Sequence, residues 1–79
     1  MYKDYQNKGK NSNVLQYEIG KTFINITFDG IIAYTYSYKK PGENHVKEMK
    51  KLAKLGKGLR SYIHKNVNSN YEKKEPIKR

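Results

Sequence analysis

Seventy-nine residues with a formal net charge of +10 and no cysteine make one small domain with a thin core, since a domain of about 60 residues buries only about 60% of its unfolded surface. The absence of cysteine excludes a disulfide staple, a thiolate metal site and a thiol nucleophile, and it suits a reducing cytoplasm. The opening residues Met1-Tyr2-Lys3-Asp4-Tyr5-Gln6 lack the apolar run of a secretory signal, and no stretch approaches the ~20 apolar residues of a membrane span, so no membrane partner is expected.

Residues 1–13 are polar, without a hydrophobic period, and read as a flexible N-terminal arm. A single domain is expected over residues 14–71. Val14-Leu15-Gln16-Tyr17-Glu18-Ile19 suits a first strand, with Gly20-Lys21 as a tight connection. In Thr22–Phe28 the alternation puts Ile24, Ile26 and Phe28 on one face, and in Ile31–Tyr38 it groups Ile32, Tyr34, Tyr36 and Tyr38. Between them, Asp29-Gly30 is a strong turn signal. A two-residue turn would pair Phe28 with Ile31, whereas a three-residue loop pairs Phe28 with Ile32, Ile26 with Tyr34 and Ile24 with Tyr36. The second choice gathers the large apolar groups on one face and is preferred. A three-stranded antiparallel meander is therefore predicted.

Pro41-Gly42 ends the sheet, because proline cannot donate to a ladder and glycine permits a sharp bend. From Asn44, a suitable N-cap, the period becomes helical. Val46, Met49, Leu52 and Ala53 fall on one side, and Lys47, Lys50, Lys51 and Lys54 on the other. Gly56 sits where a helix ends. A shorter second helix follows Gly58, with Leu59, Tyr62, Ile63 and Val67 inward. Residues 72–79 read as a flexible basic tail, with Tyr71 as a docking residue before it. The fold class expected is α+β: a three-stranded antiparallel sheet followed by two short helices packed on one face. So small a core leaves room for a homodimer.

The charge is unevenly divided. Residues 1–38 carry a net +1 and residues 39–79 a net +9. Between Asn44 and Asn70, Glu48 is the sole acid. A merely solvated helix more often mixes signs for i,i+4 pairing. The lysine face Lys47/Lys50/Lys51/Lys54, extended by Lys57, Arg60 and Lys65, is thus the main candidate for phosphate-backbone contact, which releases counterions and needs no particular base. Gly56-Lys57-Gly58-Leu59-Arg60 enters a helix but lacks P-loop spacing, so a helix–helix turn is preferred. Tyr34 and Tyr36 read as sheet packing, and Tyr38, beside Lys39 and Lys40, as the ring more open to a ligand. His45 and His64 have no metal-ligand spacing, Ser37 and Ser61 no nucleophile context, and the carboxylates no acid/base pairing. No catalytic residue, cofactor or metal is expected.

With these elements placed, the chain resembles a KTSC domain, the small domain named after the C-terminal segment of some lysyl-tRNA synthetases. The resemblance covers about residues 14–71. Ile24-x-Ile26-x-Phe28, Gly30, Tyr34-x-Tyr36, Pro41, the amphipathic helix, the Gly56–Gly58 step, Tyr62-Ile63 and Tyr71 carry it. It implies an α+β domain with strands first and helices after, supposed to bind nucleic acid and bringing no catalytic residues. Lys39–Asn44 is longer than the usual short proline turn, and the first helix has more lysines than the resemblance leads one to expect.

Together these features point to a small non-enzymatic domain that binds RNA or DNA phosphates through Lys47, Lys50, Lys51, Lys54, Lys57, Arg60 and Lys65, with Tyr38 as a candidate stacking ring. The alternative is a protein-interaction or inhibitor module that docks the same helix on an acidic or nucleic-acid-binding surface of a partner. A row of carboxylates and a row of phosphates attract the same lysines, so both readings stand at this point.

Overall fold

Around Asp29-Gly30 the chain uses its own side chains to set the central hairpin. The Asp29 carboxylate accepts the backbone N–H groups of Ile31 at 2.8 Å and Ile32 at 3.0 Å, and the Thr27 hydroxyl accepts that of Gly30 at 2.8 Å. The N–H groups of Ile32 and Ile31, in that order, hold the Asp29 carboxyl below the usual carboxylate range. Gly30 has φ 79°, a left-handed conformation that glycine adopts without the Cβ clash of other residues. The loop is the longer of the two alternatives: Ile24 lies opposite Tyr36, Ile26 opposite Tyr34 and Thr27 opposite Ala33. Alternation of large apolar groups outweighs the preference of Asp-Gly for a shorter turn.

The computed structural model describes residues 2–6 and 14–77. The sheet has five antiparallel strands in sequence order: β1 Lys3–Asp4, β2 Gln16–Ile19, β3 Phe23–Thr27, β4 Ile32–Ser37 and, after the helices, β5 Lys73–Pro76. This corrects the expected three-stranded sheet. The three expected strands form the centre, and the segments expected to be an arm and a tail each add an edge strand. The N-terminal edge is held where Lys3 lies opposite Tyr17 and Tyr5 N–H reaches the Leu15 carbonyl at 3.0 Å. At the other edge, Lys74 lies opposite Tyr34, with Glu72 N–H bonded to the Thr35 carbonyl at 2.7 Å and Ile77 N–H to that of Ile31 at 2.8 Å. The parts of the arm and tail at residues 1, 7–13 and 78–79 lie outside the described residues.

Helix α1 spans Glu43–Leu55, with Gly42 rather than Asn44 at its N-cap. The Gly42 N–H bonds the Ser37 carbonyl at 3.1 Å, so the turn that closes the sheet delivers the chain directly into the helix. Gly56 ends α1 in a left-handed conformation, its N–H bonded to the Leu52 carbonyl. Helix α2, Leu59–Tyr62, runs on into a π-helical segment, Ile63–Val67. Both helical segments cover one face of the sheet. Ile24, Ile26 and Tyr36 meet Val46, Met49, Ala53, Leu59, Ile63 and Val67 in a core joined by Tyr5, Val14 and Tyr17. Phe28, Tyr34 and Leu52, expected in that core, pack at its margin.

Candidate nucleic-acid interface

The period that buries Val46, Met49 and Ala53 turns Lys47, Lys51 and Lys54 to solvent. Their circumstances differ. Lys47 bonds Glu43 one turn earlier at 2.7 Å, which raises its pKa. Lys50 is half-buried: its ammonium lies 5.3 Å from the centre of the Tyr38 ring and donates to the Lys21 carbonyl at 3.1 Å. Burial, then repulsion from Lys54 and Lys47, lowers its pKa. Lys50 thus anchors α1 to the sheet and occupies a face of Tyr38. Lys51 is exposed, and Lys54 opens on a cavity of about 290 Å³ that it shares with Lys3, Tyr17 and Ile19. The basic surface therefore extends from α1 to Lys3, which sits on β1 rather than on a flexible arm.

Lys57 is exposed in the turn between helices, and Lys65 on the π-helical segment. Arg60 stands apart from the α1 lysines. It borders a second cleft, about 280 Å³, with Phe28, Tyr34, Tyr36 and Tyr71. The Tyr36 hydroxyl is pushed up to about 12 by burial and then by the neighbouring hydroxyls of Tyr34 and Tyr71, while the Arg60 charge acts the other way. Tyr34 and Tyr71 meet edge to face at 5.0 Å. This cleft joins residues from β4, α2 and the approach to β5, a juxtaposition that spacing along the chain does not display. His45 has a structural partner, its Nδ1 lying 2.8 Å from the Tyr62 hydroxyl and linking α1 to α2.

The opposite face of the sheet has a different charge. Register and alternation place Asp4, Glu18 and Glu75 there, with Lys73 the basic residue among the paired outward positions. The Asp4 carboxylate accepts from Gln16 at 2.8 Å, the Glu18 carboxylate from Asn25 at 3.2 Å, and Glu75 lies 3.5 Å from Lys73. The two faces are thus electrostatically unlike.

Comparison of the chain with protein-family models, with curated proteins and with solved structures gives no match. Among the described residues, no helix is long and apolar enough to cross a membrane, and no group of three or more His, Cys, Asp or Glu side chains is placed to hold a metal ion.

Proposed function

We propose that this domain is a non-enzymatic accessory module that binds RNA or DNA through backbone phosphates, with Lys51 and Lys54 at the centre of the contact and Lys3, Lys47 and Lys57 around them. The observation that carries this reading is the division of charge between the faces. Lysines crowd the helical side, while Asp4, Glu18 and Glu75 lie on the outer face of the sheet. A basic surface set against an acidic one orients the molecule toward a polyanion, which a uniform coat of lysine does not. Exposed ammonium groups on flexible stems suit phosphate contact without base selection.

The test is titration of labelled single-stranded RNA and DNA across a range of salt. Affinity is expected to vary little with sequence and to fall with a log–log slope of about −0.7 per phosphate contacted. Lys51→Glu with Lys54→Glu should weaken binding more than tenfold, a loss of about 1.4 kcal/mol or more, with the melting temperature unchanged because both side chains are exposed. Undiminished binding by that variant would overturn the reading.

A further inference from the structure

Helix α1 rests chiefly on β3 and β4. The inward side chains of β1 and β2 therefore meet its flank, and a cavity of about 290 Å³ lies there, lined by Lys3, Tyr17, Ile19 and Lys54. Contacts on both sides hold this gap. The Lys50 ammonium ties α1 to the Lys21 carbonyl, in the connection that follows β2. The Tyr5 hydroxyl accepts the Leu59 N–H, and Gln6 packs against Gly56, so the chain leaving β1 is fastened to the end of the same helix. Pairing of Lys3 with Tyr17 keeps β1 beside β2. The cavity is thus formed before any ligand arrives, as small-molecule sites usually are.

Its lining has two chemistries. Tyr17 is buried and Ile19 half-buried, both packed with the core, whereas Lys3 and Lys54 are exposed. Among the described residues no carboxylate lines the cavity, and neither lysine has an ion-pair partner. Apolar surface gains by leaving water, and ammonium groups gain from a charged acceptor. A ligand that satisfies both carries an anion on an apolar body. A phosphodiester strand is polar along its length and answers the lysines alone. A carboxylate offers an oxygen to each ammonium. At about 290 Å³ the cavity lies near the lower end of small-molecule sites, so the ligand is small. We infer that this cavity binds a small amphiphilic carboxylate, its head at Lys3 and Lys54 and its apolar body on Tyr17 and Ile19. The site shares these lysines with the nucleic-acid reading but does not depend on it.

The experiment is calorimetric titration of the full chain with octanoate, naphthoate, acetate and octanol at physiological salt. Octanoate or naphthoate should bind one per chain, at least about tenfold more tightly than acetate, which lacks the apolar body, or octanol, which lacks the charge. Preference for octanoate assigns an alkyl body and preference for naphthoate a planar one; either supports the site. Lys3→Gln with Lys54→Gln should weaken that binding roughly tenfold by removing both charged donors. Lys39→Gln with Lys74→Gln removes the same charge from exposed positions elsewhere and should stay within about twofold of the parent, because salt screens distant charges. Equal loss from the two double variants would reduce the binding to bulk charge and overturn the proposal. So would acetate or octanol binding as tightly as the amphiphiles, or no binding of either amphiphile. None of these results touches the nucleic-acid reading, which stands or falls on Lys51→Glu/Lys54→Glu.

Discussion

Tyr5 is buried in the core, and its hydroxyl accepts the Leu59 N–H at 3.2 Å, the first N–H of α2. Tyr5→Phe leaves that buried donor without its acceptor and should cost about 1–3 kcal/mol. Tyr5→Ala also removes the ring and should cost about 3–5 kcal/mol; urea unfolding measures both. Tyr36 makes a second residue-level prediction through pH. Its hydroxyl titrates at about 12 in the folded protein against 10.0 normally, chiefly because it is buried. Between those values the unfolded chain has lost this proton and the folded chain has kept it, so stability falls as pH rises through that window. The loss attributable to Tyr36 is up to about 3 kcal/mol. In urea midpoints measured from neutral pH to pH 12, the parent should therefore decline more steeply than Tyr36→Phe. Parallel declines would contradict the assignment.

The edge strands set the consequences at the scale of elements. Ile26 is fully buried at the centre of the sheet, while Phe28 lies at the margin of the core with its ring against Tyr34. Ile26→Ala should cost about 2–5 kcal/mol and Phe28→Ala less than the ~3–5 kcal/mol of a fully buried phenylalanine. Removing residues 73–79 strips β4 of one of its two partners, and removing residues 1–6 takes both β1 and the Tyr5 ring; each truncation should lower the melting temperature measured by circular dichroism. The central hairpin was legible because Ile24, Ile26, Tyr34 and Tyr36 alternate where one face is buried, and a register slip would turn them outward. The helical face of α1 was legible for the same reason at a period of 3.6. The edges were not. The two residues of β1 are too few to show a period, and Lys73-Lys74-Glu75-Pro76 is exposed on both faces, so backbone pairing rather than side-chain burial holds it. Its lysines and proline also blunt the free edge against pairing with another chain. Likewise, the row Lys47/Lys50/Lys51/Lys54 could be read from spacing, but the cleft that Arg60 borders with Tyr34 and Tyr71 joins residues far apart in the chain, which no spacing displays.

At the scale of the whole molecule, the account turns on where the charge lies rather than how much there is. Any protein with a net charge of +10 attracts polyanions at low salt. A located interface behaves differently: moving charge from the helical side to the outer face of the sheet should weaken binding even when the total is kept. Lys51→Glu and Lys54→Glu remove charge from α1, while Asp4→Lys and Glu75→Lys return the same amount to exposed positions on the opposite face. The most direct measurement is the affinity of this four-fold variant for single-stranded RNA at physiological salt, beside the parent and the Lys51→Glu/Lys54→Glu protein. If the α1 face is the interface, the four-fold variant binds as weakly as the two-fold one, despite carrying the parent's net charge. Recovery of parental affinity would contradict a located site and reduce the interaction to bulk charge.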